Sequence, residues 1–291
     1  MGKEFYDTMP NAKAVIDLAS EQTGLDIPTL CFEENDKLNI TEYTQICMLA
    51  VEAAIYQAII DKGITPDVTA GLSLGEYGAL IASGAMTMAD AFAVVRKRGI
   101  YMQEAVPTGG AMTAVLGLDP QVIEDICKKT ADETNSVVSV ANYNCPGQIV
   151  ITGEKAAVDA AAAACSEAGA KRCVPLKVSG PFHSAMLKGA GEKLADALES
   201  VEIHDIKVPY ITNVTADYVK SPTDVKDYLT QQVSSSVRWQ QTIERLIADG
   251  ADEFVEIGPG RSLSGFMRKI NRDVKVVNID KLEDFEKYVN R

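Results

Sequence analysis

A serine flanked by glycines is the residue of this sequence best suited to act as a nucleophile. Gly71, Ser73 and Gly75 form a G-x-S-x-G motif between a short apolar run and a run of small residues typical of a helix. The order strand, serine, helix predicts a nucleophile elbow, a tight turn that exposes the serine oxygen and aims free helix N–H groups at a developing oxyanion. The alternative is an ordinary capping serine, because the short motif also occurs by chance.

A serine hydroxyl needs a base in order to react at neutral pH, and the sequence offers two histidines. His204 lies in a polar stretch, and we expect it to face solvent. His183 follows Gly180-Pro181-Phe182 at a predicted strand exit, and the carboxyl ends of parallel strands meet at one edge of a sheet. We therefore predict that His183 is the base. This scarcity of histidine excludes a His-rich metal site, and we expect neither a metal nor a cofactor.

Arg98 is a candidate for recognising an anionic substrate. A planar guanidinium can bind a carboxylate through two parallel, charge-assisted hydrogen bonds. Arg98 also belongs to the run Arg96-Lys97-Arg98 of a predicted helix. From spacing alone, a solvated helix face is therefore the simpler interpretation.

The elements that must position these residues predict an α/β fold. Apolar periodicity predicts a buried helix over residues 41–62, capped by Thr41, and a capping box of Thr87 with Asp90 predicts the start of the helix that carries Arg98. Short strands alternate with helices, which favours a parallel sheet. These strands are predicted at residues 68–72, 208–212, 253–257 and 274–279. The segment 108–178 has the order strand, helix, strand, strand, helix, strand, which is ferredoxin-like.

Composition excludes several functional classes. The chain has 291 residues, of which 46% are hydrophobic and 24% charged, as in ordinary globular proteins. Acidic residues outnumber basic ones by 41 to 28, and this charge argues against a nucleic acid or an anionic membrane as a partner. The sequence has no apolar run of bilayer length and no signal-peptide pattern, and its six cysteines are scattered. We expect a cytoplasmic monomer with reduced thiols.

Several motifs, in order, resemble the malonyl-CoA:acyl carrier protein transacylase family. They are Gly71-Leu72-Ser73-Leu74-Gly75-Glu76-Tyr77, Arg98-Gly99 with Met102-Gln103, Asn142-Tyr143-Asn144 with Pro146-Gly147-Gln148, Gly180-Pro181-Phe182-His183-Ser184 and Glu256-Ile257-Gly258-Pro259-Gly260. The resemblance covers nearly the whole chain. It implies an α/β-hydrolase-like large subdomain with a parallel sheet over residues 1–107 and 179–291, and an inserted ferredoxin-like small subdomain over 108–178. The implied partners are malonyl-CoA and acyl carrier protein, and the implied pathway is fatty acid biosynthesis.

The resemblance also implies catalytic roles for four residues. Ser73 would carry the malonyl group, and His183 would act first as general base and then as general acid. The backbone N–H of Leu74 would supply one oxyanion donor. Gln232 matches the position whose backbone carbonyl orients the histidine, where other serine enzymes use an acidic residue.

Substrate binding is implied at three further positions. Arg98 would bind the malonyl carboxylate, Phe182 would favour malonyl over a branched acyl group, and Asn213 matches a polar residue beside the histidine. Acyl carrier proteins are typically acidic, so docking to this acidic chain needs a local basic patch. Lys188 and the Arg268-Lys269 pair are candidates for it, with ordinary solvated charges as the alternative.

One departure from the family concerns the N-terminus. The family begins with a buried strand and a Gly-Gln-Gly loop whose glutamine contributes to the oxyanion hole, whereas Met1-Gly2-Lys3-Glu4 matches the segment just downstream. We expect the sequence to start at an internal methionine of a longer reading frame. We also expect the groove beside the 68–72 strand to be open, or filled by another segment or molecule.

Two other functions stay open. A serine esterase or thioesterase could use the same elbow, but that class usually has its histidine late and an acidic residue between serine and histidine. Here a long segment follows His183, and Arg98 has no use with a neutral acyl group. The third possibility is a truncated, non-catalytic paralogue that only binds acyl carriers.

Overall fold

The computed structural model describes residues 1–178 and 180–291. The helices are α1 (Lys3–Thr8), α2 (Pro10–Thr23), α3 (Ile27–Phe32), α4 (Thr41–Ile60), α5 (Gly75–Ser83), α6 (Met88–Ala105), α7 (Pro120–Thr134), α8 (Lys155–Glu167), α9 (Lys188–Glu199), α10 (Val225–Gln232), α11 (Trp239–Ala248), α12 (Ser262–Ile270) and α13 (Leu282–Val289). The strands are β1 (Thr69–Ala70), β2 (Gly110–Leu116), β3 (Val138–Cys145), β4 (Gln148–Glu154), β5 (Arg172–Pro175), β6 (Tyr210–Ile211), β7 (Glu253–Ile257) and β8 (Lys275–Ile279). Together they form the predicted α/β architecture with two subdomains.

Helix α4 is the central helix of the large subdomain. By length and composition it could cross a membrane, but 61% of its apolar window is buried inside the protein, as in the core helix of a globular domain. It begins at Thr41 itself, with Ile40 at the cap position, so the prediction that Thr41 caps it is wrong. The side chain of Gln103 accepts the backbone N–H of Thr41 at the start of this helix.

Helix α6 packs closely against α4. Thr87 caps it as predicted, because its hydroxyl accepts the N–H of Asp90. A side chain at Gly99 would come within 2.9 Å of the Glu42 Cα, so glycine permits the close approach of the two helices. This approach brings the buried face of α6 toward the centre of the large subdomain.

The parallel strands of the large subdomain form two separate pairs. β1 pairs with β6, and β7 pairs with β8. β1 is shorter than the predicted 68–72 strand, because the Asn213 side chain rather than a ladder partner binds the carbonyl of Gly71, where the chain turns. Among the described residues, no strand pairs with the edge of β1 opposite β6.

The small subdomain has the predicted ferredoxin-like topology. Its antiparallel sheet has the order β3-β4-β2-β5, and α7 and α8 pack on one face of it around Val115, Ile151 and Val158. The last strand ends at Pro175, although the sequence predicts a strand to residue 178. Beyond Leu176, which still donates to the Met112 carbonyl, the chain leaves β2 and returns to the large subdomain.

Candidate active site

The turn after β1 has the geometry of a nucleophile elbow. Ser73 has φ of +52°, a left-handed conformation that costs about 1–3 kcal/mol in a non-glycine residue. A Cβ at Gly71 would lie 1.9 Å from the carbonyl oxygen of Gly75, so the turn requires glycine at position 71. A Cβ at Gly75 would meet nothing within 4 Å, so steric crowding does not require glycine at the second glycine position of the motif.

His183 lies against the serine, as predicted. Its Nε2 is 2.8 Å from Ser73 Oγ, and its Nδ1 is 2.9 Å from the backbone carbonyl oxygen of Gln232. Because that carbonyl can only accept, Nδ1 carries the proton and Nε2 is left free to take the proton of the serine. The predicted orientation of the histidine by a backbone carbonyl is therefore present in the geometry.

The surroundings of His183 keep its imidazole neutral, the form that can accept a proton. The side chain is 4% exposed. Burial, together with the charge of Arg98, lowers the pKa of His183 to about 4, against the opposing effect of the Gln232 and Ser235 carbonyls. The imidazole is therefore neutral near pH 7 and can accept a proton. His204, by contrast, is 39% exposed and lies 3.7 Å from Glu202.

Arg98 belongs to the site and not to a solvated helix face. It lies on the buried side of α6 with Val94 and Met102 and is 1% exposed. Its Nη2 donates to Ser73 Oγ at 3.1 Å and to Gln232 Oε1 at 2.9 Å. Burial lowers the pKa of Arg98, against the opposing effects of Tyr77 and Glu76, so the site holds a desolvated cation beside Ser73.

Asn213 lies at the serine turn. Its Oδ1 accepts the N–H of Ser73, and its Nδ2 donates to the carbonyl of Gly71 at 2.6 Å. Asn213 is 1% exposed, and both ends of its amide are committed to the elbow backbone. The amide holds the serine turn in shape. The expected contact of Asn213 with substrate stays a prediction.

Leu74 and Phe182 flank the reacting groups. Leu74 precedes the first residue of α5, and no acceptor for its N–H lies among the described residues, as an oxyanion donor requires. Phe182 is partly buried, and it packs against both the large-subdomain core and residues such as Met112 and Val150 of the small-subdomain sheet. Its ring therefore lies where the two subdomains meet.

Two buried polar side chains of the site escaped the sequence-based prediction. Glu76 is fully buried one turn after Ser73, and Gln45 of α4 accepts a hydrogen bond from Arg98 Nη1. Their signals were present, because Glu76 directly follows the serine motif and Gln45 is a polar residue beside the apolar stripe of α4. The side-chain contacts of Gln232 were also missed, since only its carbonyl was expected to act.

The proposed carrier-docking cations lie on the surface. Lys188 is exposed at the start of α9, soon after His183, and Arg268 and Lys269 are exposed near the end of α12. Lys269 Nζ donates to Gln148 Oε1 of the small subdomain at 3.1 Å. Among the described residues, no three His, Cys, Asp or Glu side chains are grouped as a metal site requires.

The chain is similar to known proteins over its full length. Residues 1–279 match the family model described as an acyl transferase domain. The malonyl CoA-acyl carrier protein transacylase of Bacillus subtilis is 45% identical over 288 residues, which are 98% of this chain and 90% of that protein.

Solved structures agree with this similarity. The crystal structure of MCAT from Streptococcus pneumoniae aligns at a TM-score of 0.95 and 45% identity, covering 100% of this chain and 94% of that one. A malonyl-transacylase in complex with its type II PKS acyl-carrier protein aligns at a TM-score of 0.95 and 36% identity, with the same coverage.

Proposed function

Because this chain belongs to the acyl transferase domain family, we propose that it transfers malonyl from malonyl-CoA to the phosphopantetheine thiol of an acyl carrier protein. The reaction passes through a malonyl ester of Ser73. The observation that supports this choice most strongly is the buried Arg98 guanidinium, which donates to the nucleophile Ser73 Oγ at 3.1 Å. A neutral acyl group gives no reason to desolvate a cation at this position.

The first half-reaction acylates the serine. Ser73 Oγ attacks the thioester carbonyl while His183 Nε2 takes its proton, and the negative charge that develops on the carbonyl oxygen faces the Leu74 N–H. The C–S bond then breaks, and the departing CoA sulfur takes the proton from His183. The pKa of His183, about 4, keeps Nε2 unprotonated at the start of this sequence.

The second half-reaction reverses these roles. The carrier thiol gives its proton to His183, its sulfur attacks the ester carbonyl, and the proton returns to Ser73 Oγ as the C–O bond breaks. The base and acid duties of His183 therefore alternate, and each half-reaction leaves its protonation unchanged.

Arg98 selects the acyl group by pairing with the free carboxylate of malonyl. A carboxylate can accept two parallel hydrogen bonds from a guanidinium, and in a buried site such bonds are strong. The N–H that now donates to Ser73 Oγ becomes available once the serine is esterified, because an ester oxygen is a weaker acceptor than a hydroxyl. Phe182 limits the volume beside the histidine and so favours malonyl over a branched group.

The subdomain boundaries and the compartment belong to the same proposal. We place the small subdomain at residues 108–178, between the large-subdomain segments 1–107 and 179–291. The support is the close approach of Gly110 to Pro181, which lie near the two proposed boundaries. Ser179, at the predicted return point, lies outside the described residues. The free thiols of all six cysteines support a reducing, cytoplasmic location.

The direct test is intact mass spectrometry after incubation with malonyl-CoA. We expect one malonyl adduct on the wild-type chain, located at Ser73 by peptide mapping, and none on Ser73→Ala. A folded wild-type chain that forms no adduct would contradict the proposal and favour a non-catalytic acyl-carrier-binding protein. An adduct that persists in Ser73→Ala would assign the nucleophile elsewhere.

A further inference from the structure

The site contains a carboxylate that touches neither of the two reacting side chains. Glu76 lies in the first turn of α5 and is 0% exposed. It makes no hydrogen bond to Ser73 Oγ or to His183 in the described part of the chain. Burying a carboxylate costs free energy unless hydrogen bonds or a cation compensate for the lost water.

The first contact of Glu76 is to Gln232. Gln232 Nε2 donates to Glu76 Oε2 at 2.7 Å and to the backbone carbonyl of Ser73 at 3.0 Å. The same residue presents its own carbonyl to His183 Nδ1 and its Oε1 to Arg98 Nη2. Gln232 therefore contacts the serine, the histidine and the arginine at once, and Glu76 fixes the orientation of its amide.

The second contact of Glu76 is to Asn213. The backbone N–H of Asn213 donates to Glu76 Oε2 at 3.0 Å. The side chain of Asn213 in turn binds the Ser73 N–H and the Gly71 carbonyl. A single carboxylate oxygen thus anchors both residues that hold the elbow, whose left-handed serine needs such support.

Burial and the polar neighbours of Glu76 have opposite effects on its pKa. Burial raises the pKa of Glu76, and the donors from Asn213, Thr212 and Gln232 and the charge of Arg98 oppose this rise. Removal of Glu76 would leave two buried N–H donors without their acceptor.

We propose that Glu76 is a positioning residue for catalysis, which acts through Gln232 and Asn213 to align Ser73, His183 and Arg98. This inference rests on the proposed serine chemistry but not on the identity of the acyl group. It differs from a purely structural role in one respect. A structural residue changes how much protein folds, whereas a positioning residue changes how fast each folded molecule reacts.

The test is the rate at which a fluorophosphonate labels Ser73, measured per folded molecule. In this reaction Ser73 Oγ bonds to phosphorus, fluoride leaves, and His183 takes the serine proton. Glu76→Gln keeps one carbonyl acceptor for the two donors and can turn its NH₂ toward the Thr212 hydroxyl, so we expect labelling three- to tenfold slower. Glu76→Met keeps the volume but provides no oxygen acceptor, so we expect a loss of a hundredfold or more.

Glu256→Gln is the matched control. Glu256 is a carboxylate that accepts the N–H groups of Leu263 and Ser264, and none of its hydrogen bonds reaches the site. We expect this variant to lose stability but to label at the wild-type rate. Folded protein is quantified by circular dichroism and thermal melting for every variant.

Each outcome decides a separate question. Folded Glu76→Gln or Glu76→Met that labels as fast as wild type would overturn the positioning role, and if Glu76→Met does not fold, Glu76→Gln decides alone. A wild-type chain that does not label, or that labels equally as Ser73→Ala, would instead overturn the proposed serine chemistry. A wild-type chain that labels but accepts no malonyl leaves the Glu76 comparison valid and refutes only the substrate.

Discussion

The small-subdomain sheet and the elbow of the large subdomain are built by opposite means. The sheet is an antiparallel ladder over an apolar core, with register shifts where β3 pairs with β4. Among the described residues of this subdomain, Asn135 is the non-glycine residue with left-handed φ, and it ends a helix, where that conformation is common. At the site, Ser73 and His183 have φ of +52° and +59°, and they are held from distant segments by the Asn213 side chain and by the backbone carbonyl of Gln232. Apolar packing stabilises the small-subdomain sheet, whereas a network of hydrogen bonds positions Ser73 and His183. Substitutions in the sheet should therefore lower the free energy of unfolding, and substitutions at the site should lower the acylation rate.

The largest effect is expected at the reacting pair. Ser73→Ala should abolish the malonyl adduct, and His183→Ala should slow its formation by about 10²–10⁴-fold, because general base catalysis contributes that much. The fold should persist in both variants. His204→Ala is the control, and a loss of activity there with an active His183→Ala would place the base elsewhere. Rapid-quench mass spectrometry measures the rate of adduct formation in each variant.

The next effect concerns the buried cation. Arg98→Ala should slow acylation by malonyl-CoA by about 10–100-fold, because it removes hydrogen bonds to a charged group worth about 1.5–3 kcal/mol. Acylation by acetyl-CoA should be spared or improved, since acetyl has no carboxylate. Equal losses for the two substrates would show that Arg98 only supports the structure of the site. The comparison of kcat/KM for the two thioesters measures this.

A core substitution in the small subdomain should give the complementary result. Ile151 is fully buried in the sheet, and Ile151→Ala should lower the free energy of unfolding by about 2–5 kcal/mol. The acylation rate per folded molecule should stay within about twofold of wild type. Urea denaturation and active-site titration test the two statements. A large loss of rate in folded Ile151→Ala would show that the two regions are not separable.

The pH dependence tests the buried, neutral state of His183. His183 has a pKa of about 4 when folded and about 6.5 when unfolded, so the unfolded chain binds the proton more readily. Its contribution to stability is full above pH 6.5 and decreases as the pH falls from 6.5 to 4, by about 3 kcal/mol in all. ¹⁵N NMR of the two imidazoles should show His183 neutral at pH 5.5. A His183 that titrates near pH 6.5 would contradict the buried, neutral base.

The smallest effect is expected at the docking surface. Lys188→Glu and Arg268→Glu should raise the KM for carrier protein severalfold at low salt, with the difference shrinking as salt screens the charges. The KM for malonyl-CoA should not change, because these side chains are exposed outside the site. Steady-state kinetics at two ionic strengths measure this, and an unchanged carrier KM would remove both residues from the docking surface.

The two regions also differ in how far the sequence predicts them. Alternating and helical periodicity predicted each element of the small subdomain, because local patterns decide those elements. The serine motif, its context and the position of His183 after a predicted strand predicted that Ser73 and His183 lie together, and the structure places them 2.8 Å apart. The roles of Glu76 and Gln45 depend on contacts between segments far apart in the chain, and the sequence position of a buried polar side chain does not identify its partner.

The central claim is tested most directly by the fate of the malonyl-enzyme. The isolated adduct is divided between buffer and buffer with holo-acyl carrier protein, and the loss of malonyl from Ser73 is followed by intact mass. The account predicts that the carrier discharges the enzyme much faster than water does, with malonyl recovered on the phosphopantetheine thiol. Discharge at one rate with and without carrier, releasing free malonate, would contradict it and identify a hydrolase.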